Sequence, residues 1–152
     1  MSAPAFANAL RLAASVQARL ATALAGTVAH VGNAADLAAA AAGLMGDAVH
    51  VWVVPQGDEA QASDTGTMQL RQPMGAGVMT IIGAQLGGPQ GAEALAALTP
   101  VTDAVVASLL GWVPEGFQTP LEYRSGRLLR FDLASQDLLW GLAWETERVI
   151  RA

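Results

Sequence analysis

The chain has 152 residues, 53% of them hydrophobic and 14% charged, which suits one domain with a sizeable core and leaves more apolar surface than a soluble monomer of this size usually carries. Its net charge is −5 and all eight basic residues are arginine, with no cluster dense enough to neutralise a phosphate backbone, so the composition argues against free nucleic acid as a partner. Cysteine is absent, which excludes disulfides, thiolate nucleophiles and sulfur-ligated metals.

Much of the apolar excess is alanine. Either Ala-rich helices pack into a compact globule, or a subunit hides extra surface in an oligomer; the second reading is favoured. The start of the chain, Met1 to Phe6, lacks a basic segment, and Arg11 and Arg19 interrupt the apolar stretch after it. No signal peptide is evident, and no run reads as an uncharged apolar span of membrane length.

Phe6, Leu10, Ala13, Val16, Leu20 and Leu24 recur at three- and four-residue steps, predicting an amphipathic helix that ends near Gly26. Thr27 to Val31 is a short β-prone run. Asn33 is then placed to cap an Ala-rich helix running to about Leu44, with Asp36 in its first turn. The run from Ala48 to Val54, which holds Trp52, is β-branched and apolar on both faces, as a central strand should be. Pro55 is expected to end it.

From Gln56 to Gly66 the residues turn polar and small, predicting a loop longer than most connections in a compact domain. Together with the residues after it, this loop forms a candidate arm over about 56–77. Met68 to Ala84 is extended, with Val78 to Ile82 as its firmest strand portion and a bulge or bend expected near Pro73. A helical region comes next, from about Gln90 to Leu110. Pro100 should not sit within a helix, so either a kink or a restart capped by Thr99 is expected there.

After Trp112, a loop with Pro114, Gly116 and Pro120 leads to two short strands, Leu121 to Tyr123 and Leu128 to Phe131, flanking a turn or bulge at Ser125-Gly126. Leu138, Trp140, Leu142 and Trp144 then alternate with other residues, the period-2 pattern of a strand with one heavily apolar face. This order predicts an α+β domain spanning residues 1–152, with a mixed or antiparallel sheet of about four to six strands, helices packed mainly on one face and a C-terminal β-hairpin.

Chemistry is hard to find. His30 and His50 sit in predicted strands without metal-ligand spacing. Ser63 and Ser108 lack a G-x-S-x-G setting. Gly75-Ala76-Gly77 precedes a strand, whereas a phosphate cradle comes after one and opens a helix. Asp58, Glu59 and Asp64 share a segment, as do Glu145 and Glu147, but the loop lacks the alternating oxygen ligands of a calcium site. No catalytic, cofactor-binding or metal-binding residue is assigned.

The distinctive part of the chain is C-terminal. Leu110-Gly111-Trp112-Val113-Pro114, Pro120-Leu121-Glu122-Tyr123, Gly126-Arg127-Leu128-Leu129 with Phe131, and Leu139-Trp140 with the later Glu145-Thr146-Glu147 resemble, in order and spacing, the phage tail terminator family. Asn33 to Leu37, the Val51–Pro55 strand and Gln69 with Arg71 match its layout more loosely. Pro73 to Gly77 departs from the regular strand of that pattern, and Gly141 and Ala143 stand where bulkier residues are expected. The resemblance makes Trp52, Trp112, Pro120, Leu121, Tyr123, Leu128, Phe131, Trp140 and Trp144 the structural signature, expected in the core.

The resemblance also implies a structural protein without enzymatic activity or cofactor. Its copies form a homo-oligomeric ring, a hexamer, that caps the tail tube protein, stops its polymerisation and offers a docking surface to head-completion or connector proteins. DNA would pass through the lumen only as cargo, and no membrane is involved. The protein would be assembled in the host cytoplasm and end in the neck region of the virion tail. Gln56, Asp58, Glu59, Asp64, Gln69, Arg71, Gln72, Arg124 and Arg127 are the candidate contacts to other subunits or the tube. Another phage neck connector and a small non-phage binding domain remain as alternatives.

Overall fold

A computed structural model describes residues 6–44, 48–63, 70–85 and 92–151. In chain order the elements are α1 (Ala9–Ala23), β1 (His30–Asn33), α2 (Leu37–Ala42), β2 (His50–Ala60), β3 (Arg71–Gln85), α3 (Ala92–Leu109), β4 (Glu122–Asp132) and β5 (Asp137–Arg151). The strands form one mixed five-stranded sheet in the order β1-β2-β3-β5-β4. Only β1 and β2 run parallel; every other neighbouring pair is antiparallel. The fold is α+β with a C-terminal β4–β5 hairpin, as the residue pattern predicts.

Alternation along the strands divides the core between the two faces of the sheet. Val51, Val53, Val78, Ile82, Leu138, Leu142 and Trp144 face α1 and α3 and join Leu12, Val16, Leu20, Leu98, Val101, Val105 and Leu109 in one cluster. Trp52, Val54, Ile81 and Leu139 point the other way and gather with Ala40 of α2 and Leu44. Two of the three helices therefore cover one face, and the shortest covers part of the other. This second face is built around glycine. A Cβ on Gly141 would lie 3.0 Å from both Leu129 Cγ and Met79 Sδ, so the missing bulk at this position is the space those side chains fill.

α1 starts at Asn8, whose side chain accepts from Arg11 N, and ends before Gly26 at φ 79°. The expected capping of α2 by Asn33 is incorrect. Asn33 belongs to β1, and Asp36 is the cap, accepting from Ala39 N at 2.9 Å. α3 is one helix with Pro100 inside it. The Thr99 hydroxyl donates to Leu95 O at 2.9 Å, back into the preceding turn, and so does not serve as the N-cap of a restarted helix. By length and composition alone α3 could cross a membrane, with 18 residues and a mean hydropathy of 1.3. Its stripe Leu98, Val101, Val105 and Leu109 nevertheless packs into the main core.

The greatest difference from expectation lies in the polar segment after Pro55. β2 does not end at Pro55 but continues to Ala60, with Gly57, Asp58, Glu59 and Ala60 opposite Gly77, Ala76, Gly75 and Met74. Ladder hydrogen bonding, not side-chain hydrophobicity, holds this extension. The bulge expected near Pro73 sits instead across the ladder, between Pro55 and Gly57. Pro73 lies in unbroken register with Val149, and its carbonyl accepts from Gln61 N. Of the predicted 56–77 arm, the outer strands are thus a β-hairpin, and positions 64–69 fall outside the described residues.

Likewise the two strands expected around Ser125-Gly126 are the single strand β4, with register shifts at 123/125 and 128/130. Its turn to β5 lies at 133–136. Asp132 builds that turn by accepting from Ala134 N at 2.8 Å and Ser135 N at 3.4 Å, an Asx arrangement. After α3, Gly111 at φ 81° turns the chain, and Leu121 N donates to Trp112 O at 2.7 Å while Gly111 N donates to Leu121 O. These bonds close the loop that delivers Leu121 to the core.

Candidate assembly interface

The signature residues divide into two groups. Trp52, Leu121 and Trp144 are buried, while Trp112 and Trp140 are partly buried against the core. The expectation that Tyr123, Leu128 and Phe131 belong to the core is corrected: they are 45%, 52% and 38% exposed. Pro120 is exposed as well. The physical reason is topological. α1 packs mainly on β2 and β1, α3 on β3 and β5, and among the described residues no helix packs substantially on the edge strand β4. Alternation reports which residues share a face but not whether anything covers that face.

β4 is consequently an 11-residue edge strand with an uncovered apolar side. Tyr123, Leu128 and Phe131 stand opposite Trp144, Trp140 and Leu138 of β5. A groove of about 250 Å³ lies beside them, lined by Leu95, Leu98, Thr99, Thr102 and Asp103 of α3 and by Trp140. Long, apolar, unpaired edges are sites for association with another chain. Register shifts and arginines moderate this edge. Arg124 bridges Glu122 at 3.2 Å and Glu145 at 3.1 Å, and Arg130 lies 3.3 Å from Asp132.

Four of the predicted contact residues come together. Gln56, Asp58 and Glu59 line a polar cleft of about 240 Å³ with Gly75, Ala76, Gly77 and Glu145, and Glu145 carries the ion pair to Arg124. Asp58 has a structural task besides: its carboxylate accepts from Ala9 N at 2.7 Å. Arg71 and Gln72 are apart from this group, near the far end of the hairpin, where Gln72 Nε2 donates to Gln61 O at 3.0 Å. Arg127 is exposed on β4, opposite Gly141. Asp64 and Gln69 lie outside the described residues.

Among the described residues the histidines are placed as packing groups. His50 is buried and stacks on Trp52 at 5.5 Å, with the His30 ring 6.3 Å from its own. Among the described residues no group of three or more His, Asp or Glu side chains could hold a metal ion. The resolved perturbation of an acid is at Asp132, where the backbone N–H groups of Ala134 and Ser135, opposed by slight desolvation and aided by Arg130, hold the carboxyl below its ordinary value. That is turn chemistry rather than a reactive group.

Comparison with known proteins agrees with a structural part. No curated protein sequence matches the chain. Among solved structures, a chain from the virion of a native gene transfer agent particle shares the fold, with a TM-score of 0.50, 17% identity, and coverage of 94% of this chain and 98% of that one. A family model described as "Phage tail terminator protein" matches residues 6–152. The chain, a phage structural protein of the virion tail, belongs to the phage tail terminator protein family.

Proposed function

We propose that the protein is a ring-forming terminator: copies of this chain close on the end of the tail tube, halt its polymerisation and present their other face to head-completion proteins. The observation that carries this is the long uncovered edge β4, with Tyr123, Leu128 and Phe131 half-exposed on one side. A subunit of a closed ring needs two different lateral surfaces that fit each other. This chain offers an apolar edge at β4 and, at the opposite edge of the sheet, the short strand β1 beside α1. The hexameric number comes from the family resemblance.

The β2–β3 hairpin, with Gln56, Asp58, Glu59, Arg71 and Gln72, and the β4 arginines Arg124 and Arg127 are the proposed contacts to neighbouring subunits or the tube. Asp64 and Gln69 complete that proposal. A net charge of −5 suits a lumen through which DNA slides as cargo without adhering. Assembly in the host cytoplasm and a final place in the neck of the virion belong to the same reading.

Light scattering after size exclusion tests it. A ring alone, or on adding tail tube protein, is expected; a strict monomer under both conditions overturns the proposal. Phage lacking the gene should make tails of uncontrolled length. Tails of normal length that lack heads would point to a neck connector instead.

A further inference from the structure

The helix layer of this fold is one helix narrower than its sheet. α1 lies over β1 and β2, α3 over β3 and β5, and the apolar side of β4 lies bare beyond α3. The α3 flank facing that bare strip carries Leu95, 50% exposed beside Trp140, among Thr99, Thr102 and Asp103. At the other end of the layer, α1 shows a matching flank. Gln17 marks its direction, since its side-chain amide donates to Val31 O on β1 at 3.3 Å. Leu10, Ala14 and Ala21 share that flank by helical spacing. All three are exposed, Leu10 by 69%.

We propose that α1 of an adjacent copy completes the layer, seating Leu10, Ala14 and Ala21 on the strip formed by Tyr123, Leu128 and Phe131 and against Leu95 of α3. This rests on the ring reading above and names the contact that would close it. Two observations favour a second copy as the occupant. First, the two surfaces lie at opposite lateral ends of one layer, so copies related by rotation bring them together without an unmatched face. Second, the shapes fit: β4 offers large side chains, while α1 offers one leucine among alanines, which lets a helix approach a sheet closely.

The absence of cysteine in the chain gives a clean background for cross-linking. Leu128→Cys and Ala14→Cys are placed in separate preparations of the full chain, mixed, allowed to assemble and treated with a short bismaleimide, which tolerates small differences in register. Covalent dimers are expected from the mixture and not from either variant alone. A second pair, Leu10→Cys with Tyr123→Cys, should behave in the same way. Because both sites are exposed, Leu128→Asp and Leu10→Glu should keep the circular dichroism of the parent and weaken assembly by about tenfold or more.

Assembly without either mixed cross-link, or cross-linking of Leu128→Cys to itself, overturns the placement of α1 and leaves the ring standing. Unchanged assembly of both charged variants also overturns it. No assembly of the parent chain, with or without tail tube protein, overturns the ring reading and this contact with it.

Discussion

The carboxylate of Asp58 accepts a hydrogen bond from the backbone N–H of Ala9 at 2.7 Å, so a residue of the β2–β3 hairpin satisfies one of the free donors at the start of α1. Asn8 satisfies another through Arg11 N. The extended hairpin is thereby fixed to the helix layer at the end where the polar cleft opens. Asp58→Ala should destabilise the protein by about 1 kcal/mol, the usual cost of losing a helix cap. Asp58→Asn, which keeps the acceptor, should cost less. Urea denaturation monitored by circular dichroism measures both, and equal stability of all three proteins would exclude this role for Asp58.

Trp144 and Thr80 form the main polar contact inside the large core. The indole Nε1 donates to Thr80 Oγ1 at 3.1 Å, and both residues are buried. Thr80→Val keeps shape but leaves the indole N–H unpaired, at a cost of about 1–3 kcal/mol. In a Trp144→Phe background the same change should cost clearly less, since the donor is gone. A cycle of the four proteins by thermal or urea unfolding measures the coupling. Zero coupling would mean that the hydrogen bond contributes nothing to stability.

Asp132 sets a pH dependence. Its backbone partners Ala134 and Ser135, then Arg130, favour the charged form. Its folded pKa is therefore below the unfolded one, which is near the ordinary value of about 3.9. A depressed folded pKa gives stability that is fully present above the unfolded value and lost as pH falls through the folded one. Between about pH 5 and pH 2, then, the parent should lose stability more steeply than Asp132→Asn. Asparagine retains a side-chain oxygen for the turn but does not titrate. Parallel slopes for the two proteins would count against the assignment.

How far the residues alone disclose this molecule depends on which forces leave a mark on side chains. The alternation of Leu138, Trp140, Leu142 and Trp144 reports a strand with one heavily apolar face, and β5 is that strand, with Leu139 and Gly141 buried on its other face as well. The three- and four-residue steps from Leu12 to Leu20 report α1 in the same way. By contrast, Gln56 to Ala60 is held by the backbone ladder to Met74–Gly77 and exposes its own side chains, so a polar strand looks like a loop. Pro73 could lie in β3 with its ladder intact because register, not composition, decides whether an N–H is needed at that point. The exposure of Tyr123, Leu128 and Phe131 was equally hidden. It depends on α3 stopping short of β4, a property of packing between distant elements. The assembly edge is therefore the part of the site least legible in sequence, although its residues lie within the family signature.

Arg19 and Trp112 join α1 to the loop after α3. The guanidinium lies 4.7 Å from the centre of the indole ring, and its Nε donates to Ser108 O at 2.6 Å. Both contacts depend on a planar, forked cation. Lysine keeps the charge but lacks the Nε–H at that position and the flat surface that stacks on indole. Arg19→Lys should therefore lose about 0.5–1 kcal/mol, the scale of an exposed cation–π contact, with Arg19→Ala losing somewhat more. Stability alone would not separate this contact from general packing of α1. Trp112 supplies a second readout, because releasing its ring changes the indole environment and so the tryptophan emission. The change should disappear in a Trp112→Phe background. If Arg19→Lys shifts emission equally with and without Trp112, the two residues do not act together and α1 is held by its buried stripe alone.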